Sequence, residues 1–211
     1  MDVIWPGVDF SLFFPRDRDA TRRALGPGGK TLFFSSRNLL PIYNIDRILD
    51  MFARLRERLP HAVLFQAGDG PLLADLRKKA GALGLGDSVR FLGAVPQGRV
   101  RELFCACDVY LTVPQSDTTA TSLLEAFACK ANVVAADIPA NREWIESGRN
   151  GFLADPYDAE AFAETCLRAA QEPVPDAVRE ENLARVREQG DHARNMERIE
   201  AGFLRLAAGR A

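Results

Sequence analysis

No apolar run in the 211 residues approaches the length needed to cross a bilayer. Neither sign of charge dominates: 27 Lys and Arg stand against 29 Asp and Glu, a formal net charge of −2. The first absence leaves no membrane-spanning helix to expect, and the second removes the basic footprint that nucleic acid requires. Histidine is scarce, with two residues, and Cys105, Cys107, Cys129 and Cys166 follow no metal-ligand spacing. A chain of this length has no need of a disulfide scaffold, so the four read as buried free thiols in a cytoplasmic protein. The stretch from Met1 to Pro6 lacks the basic start and apolar centre of a signal peptide. There is no internal repeat and no low-complexity tract. Absence of G-x-G-x-x-G and of G-x-S-x-G argues against a nicotinamide dehydrogenase and a nucleophile-elbow hydrolase.

What the chain does have is alternation. Apolar runs beginning near 31, 62, 88, 109 and 132 read as buried strands, and helical periodicity fills the gaps between them. That order predicts a doubly wound α/β fold, a Rossmann-like parallel sheet with helices on both faces. Residues 1–30 read as a linker-derived segment and a helix, with a short strand at Val3–Trp5. Residues 31–172 form the main domain, including a turn and short strand at Asn150–Leu153. After Pro173-Val-Pro175, residues 176–189 and 192–208 form two charged amphipathic helices, with Phe203, Leu204 and Leu206 either exposed or packed on the sheet. Strand order cannot be read from these patterns.

Two short motifs invite metal chemistry and are better explained without it. Asp17-Arg-Asp19 precedes a polar helix-like stretch instead of following a core strand. Cys105-Ala-Cys107 sits where a helix meets a buried strand, where small apolar packing suffices.

Chemistry concentrates between Asp108 and Asp137. A strand at 109–113 runs into the polar loop Pro114–Thr121, then a helix with Leu123, Leu124, Phe127 and Ala128 on one face, then a strand at 132–136. Asp117 in the loop and Glu125 in the helix have seven residues between them. Folded so, Glu125 lies about one turn inside the helix and Asp117 bends over its mouth. The backbone N–H groups of Thr119–Leu123, Thr121 and Ser122 among them, then offer an anion site at the positive end of the helix dipole. Arg37, in the loop after the first strand, comes within reach of the same crevice and suits phosphate through its planar fork. A plain surface ion pair, with Asp69 for example, is the alternative for that cation.

These residues resemble the acidic E-x7-E motif of the family 4 retaining GT-B glycosyltransferases, the glycosyl transferases group 1, in a variant that begins with Asp. Ser116-Asp117, Ser122–Ala128, Val133-Val134 and Asp137–Ile145 carry the likeness, which extends from Pro6-Gly-Val-Asp9 to about Phe162. The resemblance implies the donor-binding C-terminal half of a two-domain enzyme. That enzyme would move a sugar from a nucleoside diphosphate sugar to an acceptor with retention, in the setting of polysaccharide biosynthesis. It implies Asp117, Glu125 and Arg37 as catalytic residues, with no metal and no further cofactor. It implies donor contacts at Thr119, Thr121, Ser122, Leu123, Tyr43 and Glu143, and at the backbone around Phe91 and Leu92 for the base. The Gly-Val-Asp segment, which in the family opens the C-terminal domain, stands here at the start of the sequence. The expectation is therefore that the acceptor domain is missing or supplied by a separate chain. The 211 residues alone would then not turn over, and any peripheral membrane association would come through that other half.

Three departures stand out. Tyr43-Asn44 occupies the place of a Lys-Gly that binds the diphosphate. Asp117 is one methylene shorter than the usual Glu and is followed by Thr118-Thr-Ala-Thr121 in place of glycines. Lys130 replaces a helix-ending glycine, so the helix is expected to end differently. A non-catalytic sugar-nucleotide-binding subunit is the alternative these differences keep open. A GT-B epimerase half would want acid–base residues that the poorly placed His61 does not supply.

Overall fold

The computed structural model describes Ile4, residues 7–118 and residues 120–208, without the side chains of Leu206 and Ala208. The strand expected at Val3–Trp5 and the site residue Thr119 therefore fall outside the described residues. Strands β1 (Leu32–Ser35), β2 (Val63–Ala67), β3 (Val89–Gly93), β4 (Val109–Thr112), β5 (Val133–Ala136) and β6 (Phe152–Ala154) form one sheet. Its order is β3-β2-β1-β4-β5-β6, and every pairing is parallel. Such a sheet must be covered on both faces, and its strands read as nearly continuous apolar runs.

Helices α1 (Arg18–Leu25), α2 (Ile45–Arg58), α3 (Leu73–Ala82), α4 (Gln97–Ala106), α5 (Thr121–Ala128), α6 (Pro139–Arg142), α7 (Ala159–Gln171), α8 (Asp176–Gln189) and α9 (His192–Ala208) complete the fold. One apolar layer, under α4, α5 and α8, gathers Phe34, Tyr110, Phe104, Phe127 and Leu183. Phe104 meets Tyr110 edge to face, with ring centroids 4.8 Å apart. The opposite layer, under α2, α3 and α7, gathers Phe33, Phe52, Leu55, Leu76 and Phe162. Neighbouring residues Phe33 and Phe34 thus serve opposite faces, as the period of two along a strand requires.

Asp17 caps α1, its carboxylate accepting from the Ala20 amide at 2.7 Å, so the Asp-Arg-Asp triplet has a structural role. All four cysteines are free and buried. Asp108, at the foot of β4, accepts from the Leu32 amide at 2.6 Å and from Arg22 at 2.9 Å, and also pairs with Arg18. This joins α1 to the sheet. The amino-terminal segment is held at the junction of α8 and α9, where the Val8 amide donates to Gly190 and the His192 amide to Val8. Among the described residues no helix is long and apolar enough to cross a membrane.

The strand order reverses direction between β1 and β4. In open α/β sheets the crevice outside the carboxyl ends at such a point is where ligands bind. Two loops meet there: residues 36–44 after β1 and residues 113–120 after β4.

Candidate active site

The loop after β1 is fixed from both sides. Fully buried Gln66, at the end of β2, donates from its side-chain amide to the Arg37 carbonyl at 2.9 Å and to the Ala67 carbonyl at 2.6 Å. Gly68 has φ +113°, and a Cβ there would stand 2.5 Å from the Arg37 carbonyl oxygen. The Gly-Asp-Gly turn is thus more than a breaker: it lets the Arg37 backbone come close. On the other side buried Asn44 donates to the Val113 carbonyl at 2.9 Å, and the Gln115 amide donates to Ile42 at 2.8 Å. Asn44 has φ +53°, the left-handed conformation a glycine would adopt most easily, and one that Asn tolerates better than most residues.

Between these ties Arg37 reaches across the switch point. Its guanidinium donates to the Asp117 carboxylate at 2.8 Å and to the Ser122 hydroxyl at 3.1 Å. Tyr43 covers its face, with the guanidinium carbon 4.2 Å from the ring centroid. The surface pairing with Asp69 is not what occurs. Arg37 and Asp117 are only 13% and 16% exposed, so the pair is largely withdrawn from solvent screening.

Glu125 lies one turn into α5, as its spacing predicts. Among the described residues nothing donates a hydrogen bond to its carboxyl. Burial pushes its pKa up to about 7, and the charge of Arg37 only partly opposes this. The amides of Thr121 and Ser122, the first two of α5, likewise have no partner among the described residues. Leu123 is a correction: its amide is consumed by the Ala120 carbonyl at 2.8 Å and its side chain is fully buried. An i→i+3 bond tightens the first turn and removes that donor.

Glu125 and Ser122 form one wall of a cleft of about 320 Å³, whose other walls include Ser36, Asn38, Gly68, Val95 and Gln97. Phe91 and Leu92 do not line it. They pack partly buried against opposite apolar layers, and the cleft begins two residues later, at Ala94 and Val95. Glu143 is exposed just beyond α6, and its carbonyl accepts from Arg185 at 2.6 Å. It does not line the cleft either. Ser36, Asn38 and Gln97 were not singled out from sequence; their places at the carboxyl end of β1 and the first turn of α4 were the available signal. A second groove of about 350 Å³ runs outside the Pro41–Tyr43 turn, between α2 and α3, away from Glu125. We place the site in the first cleft because it lies at the switch point and contains the Glu125 carboxyl, which has no hydrogen-bond donor among the described residues.

Lys130 also differs from its expectation. It takes φ +59°, and the Ala131 and Lys130 amides donate to Ala126 and Phe127 in a Schellman arrangement. The helix ends as it would with a glycine. The backbone strain is accepted, and the ammonium pairs with Glu180 of α8.

The glycosyl transferases group 1 family model matches residues 17–191. D-inositol 3-phosphate glycosyltransferase of Thermomonospora curvata is 33% identical over 187 residues, which are 81% of this chain and 43% of that protein. Its counterpart in Geodermatophilus obscurus is 34% identical over 172 residues, 76% of this chain and 38% of that protein. The chain thus spans less than half the length of these relatives. Among solved structures, Anabaena HepE in complex with UDP and glucose superposes with a TM-score of 0.82 at 23% identity, over 96% of this chain and 56% of that one. The C-terminal domain of the group 1 glycosyl transferase LpcC from Francisella tularensis gives 0.75 at 18% identity, over 88% of this chain and 99% of that one. The sheet order and its helical layers are those of the C-terminal domains of GT-B glycosyltransferases, and the chain belongs to the glycosyl transferases group 1 family.

Proposed function

We propose that this chain is the donor-binding half of a retaining glycosyltransferase that uses a nucleoside diphosphate sugar. The observation that carries the reading is the Glu125 carboxyl, one turn inside α5 and beside the two amides that begin the helix, all without a hydrogen-bond partner among the described residues. A carboxylate so placed accepts from both ribose hydroxyls, each charge-assisted bond contributing roughly 1.5–3 kcal/mol before desolvation. The amides of Thr121 and Ser122 face the diphosphate and stabilise the charge that develops as it departs, with Arg37 beside them. Asp117 stands where the sugar would be oriented. The base lies toward Val95 and Gln97, past the end of β3. The reading assigns no role to a metal ion and none to Glu143.

HepE, whose fold this chain shares, was solved with UDP and with UDP-glucose, which makes UDP the first nucleotide to test. An acceptor-binding half, in the same protein or another, would complete the enzyme, and this half alone is proposed to bind donor without turnover. A non-catalytic binding subunit is a second reading, favoured by one observation: Arg37, the cation that faces Asp117 among the described residues, is already bonded to it.

Calorimetry and thermal shift with UDP, GDP, ADP and CMP test the proposal on the wild type and Glu125→Ala. Ligand at about 100 times its dissociation constant should add roughly 2.7 kcal/mol of stability. One nucleotide binding the wild type and losing at least tenfold in affinity with Glu125→Ala is the expected result. Equal binding by both proteins would remove Glu125 from the site and the proposal with it.

A further inference from the structure

Tyr110 of β4 is fully buried, yet its hydroxyl reaches the side chains that form the cleft. Its ring meets Phe104 edge to face at 4.8 Å between centroids and tilts against Phe34 at 5.8 Å. That packing leaves the phenol little freedom to turn away. Its oxygen stands 3.1 Å from the Ser36 hydroxyl, just past the carboxyl end of β1. The Ser122 hydroxyl, in the first turn of α5, lies beside the same phenol and accepts from Arg37 at 3.1 Å. Both serines line the cleft, and Tyr110 stands behind them.

Three hydroxyls carry three protons, and the geometry limits where these can go. Burial pushes the Tyr110 pKa up, so the phenol keeps its proton at neutral pH. Among the described residues that proton can reach only the two serine oxygens. If it goes to Ser36, the Ser36 proton is left to point into the cleft. If Ser36 donates to the phenol instead, the Tyr110 proton goes to Ser122. The Ser122 oxygen then accepts from both Arg37 and Tyr110, and its own proton faces the cleft. Each arrangement presents a serine O–H close to the amides that begin α5. Glu125 takes no bond from either serine, so that donor is left for a ligand.

We propose that Tyr110 is a positioning residue for phosphate recognition: its buried hydroxyl turns the Ser36 or Ser122 hydroxyl toward an anion at the start of α5. The inference rests on the nucleotide reading given above and adds to it a residue that does not touch the ligand. A phenylalanine at this position keeps the ring contacts and loses the orientation. Either serine proton can then turn to the other serine or to water.

Calorimetry of the full 211-residue chain with uridine and UDP, and with the guanosine and adenosine pairs, measures the ratio of nucleoside to diphosphate dissociation constants. In the pair that binds, the wild type should favour the diphosphate at least about tenfold. Tyr110→Phe should lower that ratio about fivefold and leave the nucleoside constant within about twofold. A packing defect would weaken both ligands alike and leave the ratio where it was. The double variant Ser36→Ala, Ser122→Ala should lose at least as much, and it stands in if Tyr110→Phe fails to fold. Adding Tyr110→Phe to that double variant should change the ratio no further, because the phenol acts through those two hydroxyls. A ratio that is unchanged or raised in Tyr110→Phe or in the serine double variant overturns the inference and leaves the nucleotide reading standing. So does a further drop in the triple variant, or a wild type with equal constants for the two ligands. Absence of binding by every compound to the wild type defeats the nucleotide reading itself, and this inference falls with it.

Discussion

Glu125 shows how a single side chain trades stability for a role. Its carboxyl is removed from water and receives no hydrogen bond from the described residues, so its charged form is disfavoured and its pKa stands near 7. In the unfolded chain an ordinary Glu titrates near 4.3. Between those values the folded protein holds a proton that the unfolded chain has released, so stability falls as pH rises through that window. Glu125→Gln removes the charge. It should match the wild type near pH 4 and exceed it above pH 8, by up to about 3 kcal/mol. Denaturant unfolding at the two pH values checks this, and equal stability at pH 8 would show that the carboxyl is better solvated than its position suggests. The direction is the one expected if the carboxyl serves the nucleotide binding proposed above.

At the scale of elements, the telling feature is how α5 begins and ends. Its first turn uses the Leu123 amide internally, while those of Thr121 and Ser122 have no partner among the described residues, which leaves the first two positions for an anion. Its last turn closes over Lys130 at φ +59°. A left-handed non-glycine residue costs about 1–2 kcal/mol, and a glycine returns part of that through its greater freedom when unfolded. Lys130→Gly should therefore raise stability by about 0.5–1 kcal/mol, since the exposed pair with Glu180 contributes little. A lower unfolding midpoint in that variant would mean the salt bridge outweighs the backbone strain. Helix limits such as 176–189 and 192–208 were legible in the sequence because Pro175 and Gly190 mark their ends locally. The use of the Leu123 amide was not legible, because it depends on where the Ala120 carbonyl points.

At the scale of the molecule, two apolar layers enclose the sheet, while Phe203 and Leu204 of α9 remain 69% and 64% exposed. Their burial adds almost nothing to the stability of this chain. Replacing both by Ser should change the unfolding free energy by less than about 0.5 kcal/mol in a denaturant titration. A loss above about 2 kcal/mol would show that they pack within this chain after all. The chain covers 43% of the length of one relative and 38% of another.

The division between what was readable and what was not follows the range of the interactions. Strand and helix patterns, the place of Glu125 one turn into a helix, and the position of the Thr121 and Ser122 amides at its start all depend on neighbours a few residues away. They are written in the alternation of apolar and polar residues and in the breakers that interrupt it. The strand order, the cleft wall at Val95 and Gln97, and the partner of Arg37 are decided by segments distant in sequence. Arg37 and Asp117 are 80 residues apart and meet only because β1 and β4 lie side by side. Spacing along the chain marked both as polar residues near one crevice. Only the packed sheet decided that each would neutralise the other, because pairing at 2.8 Å in a poorly solvated site requires both loops to be held in place first.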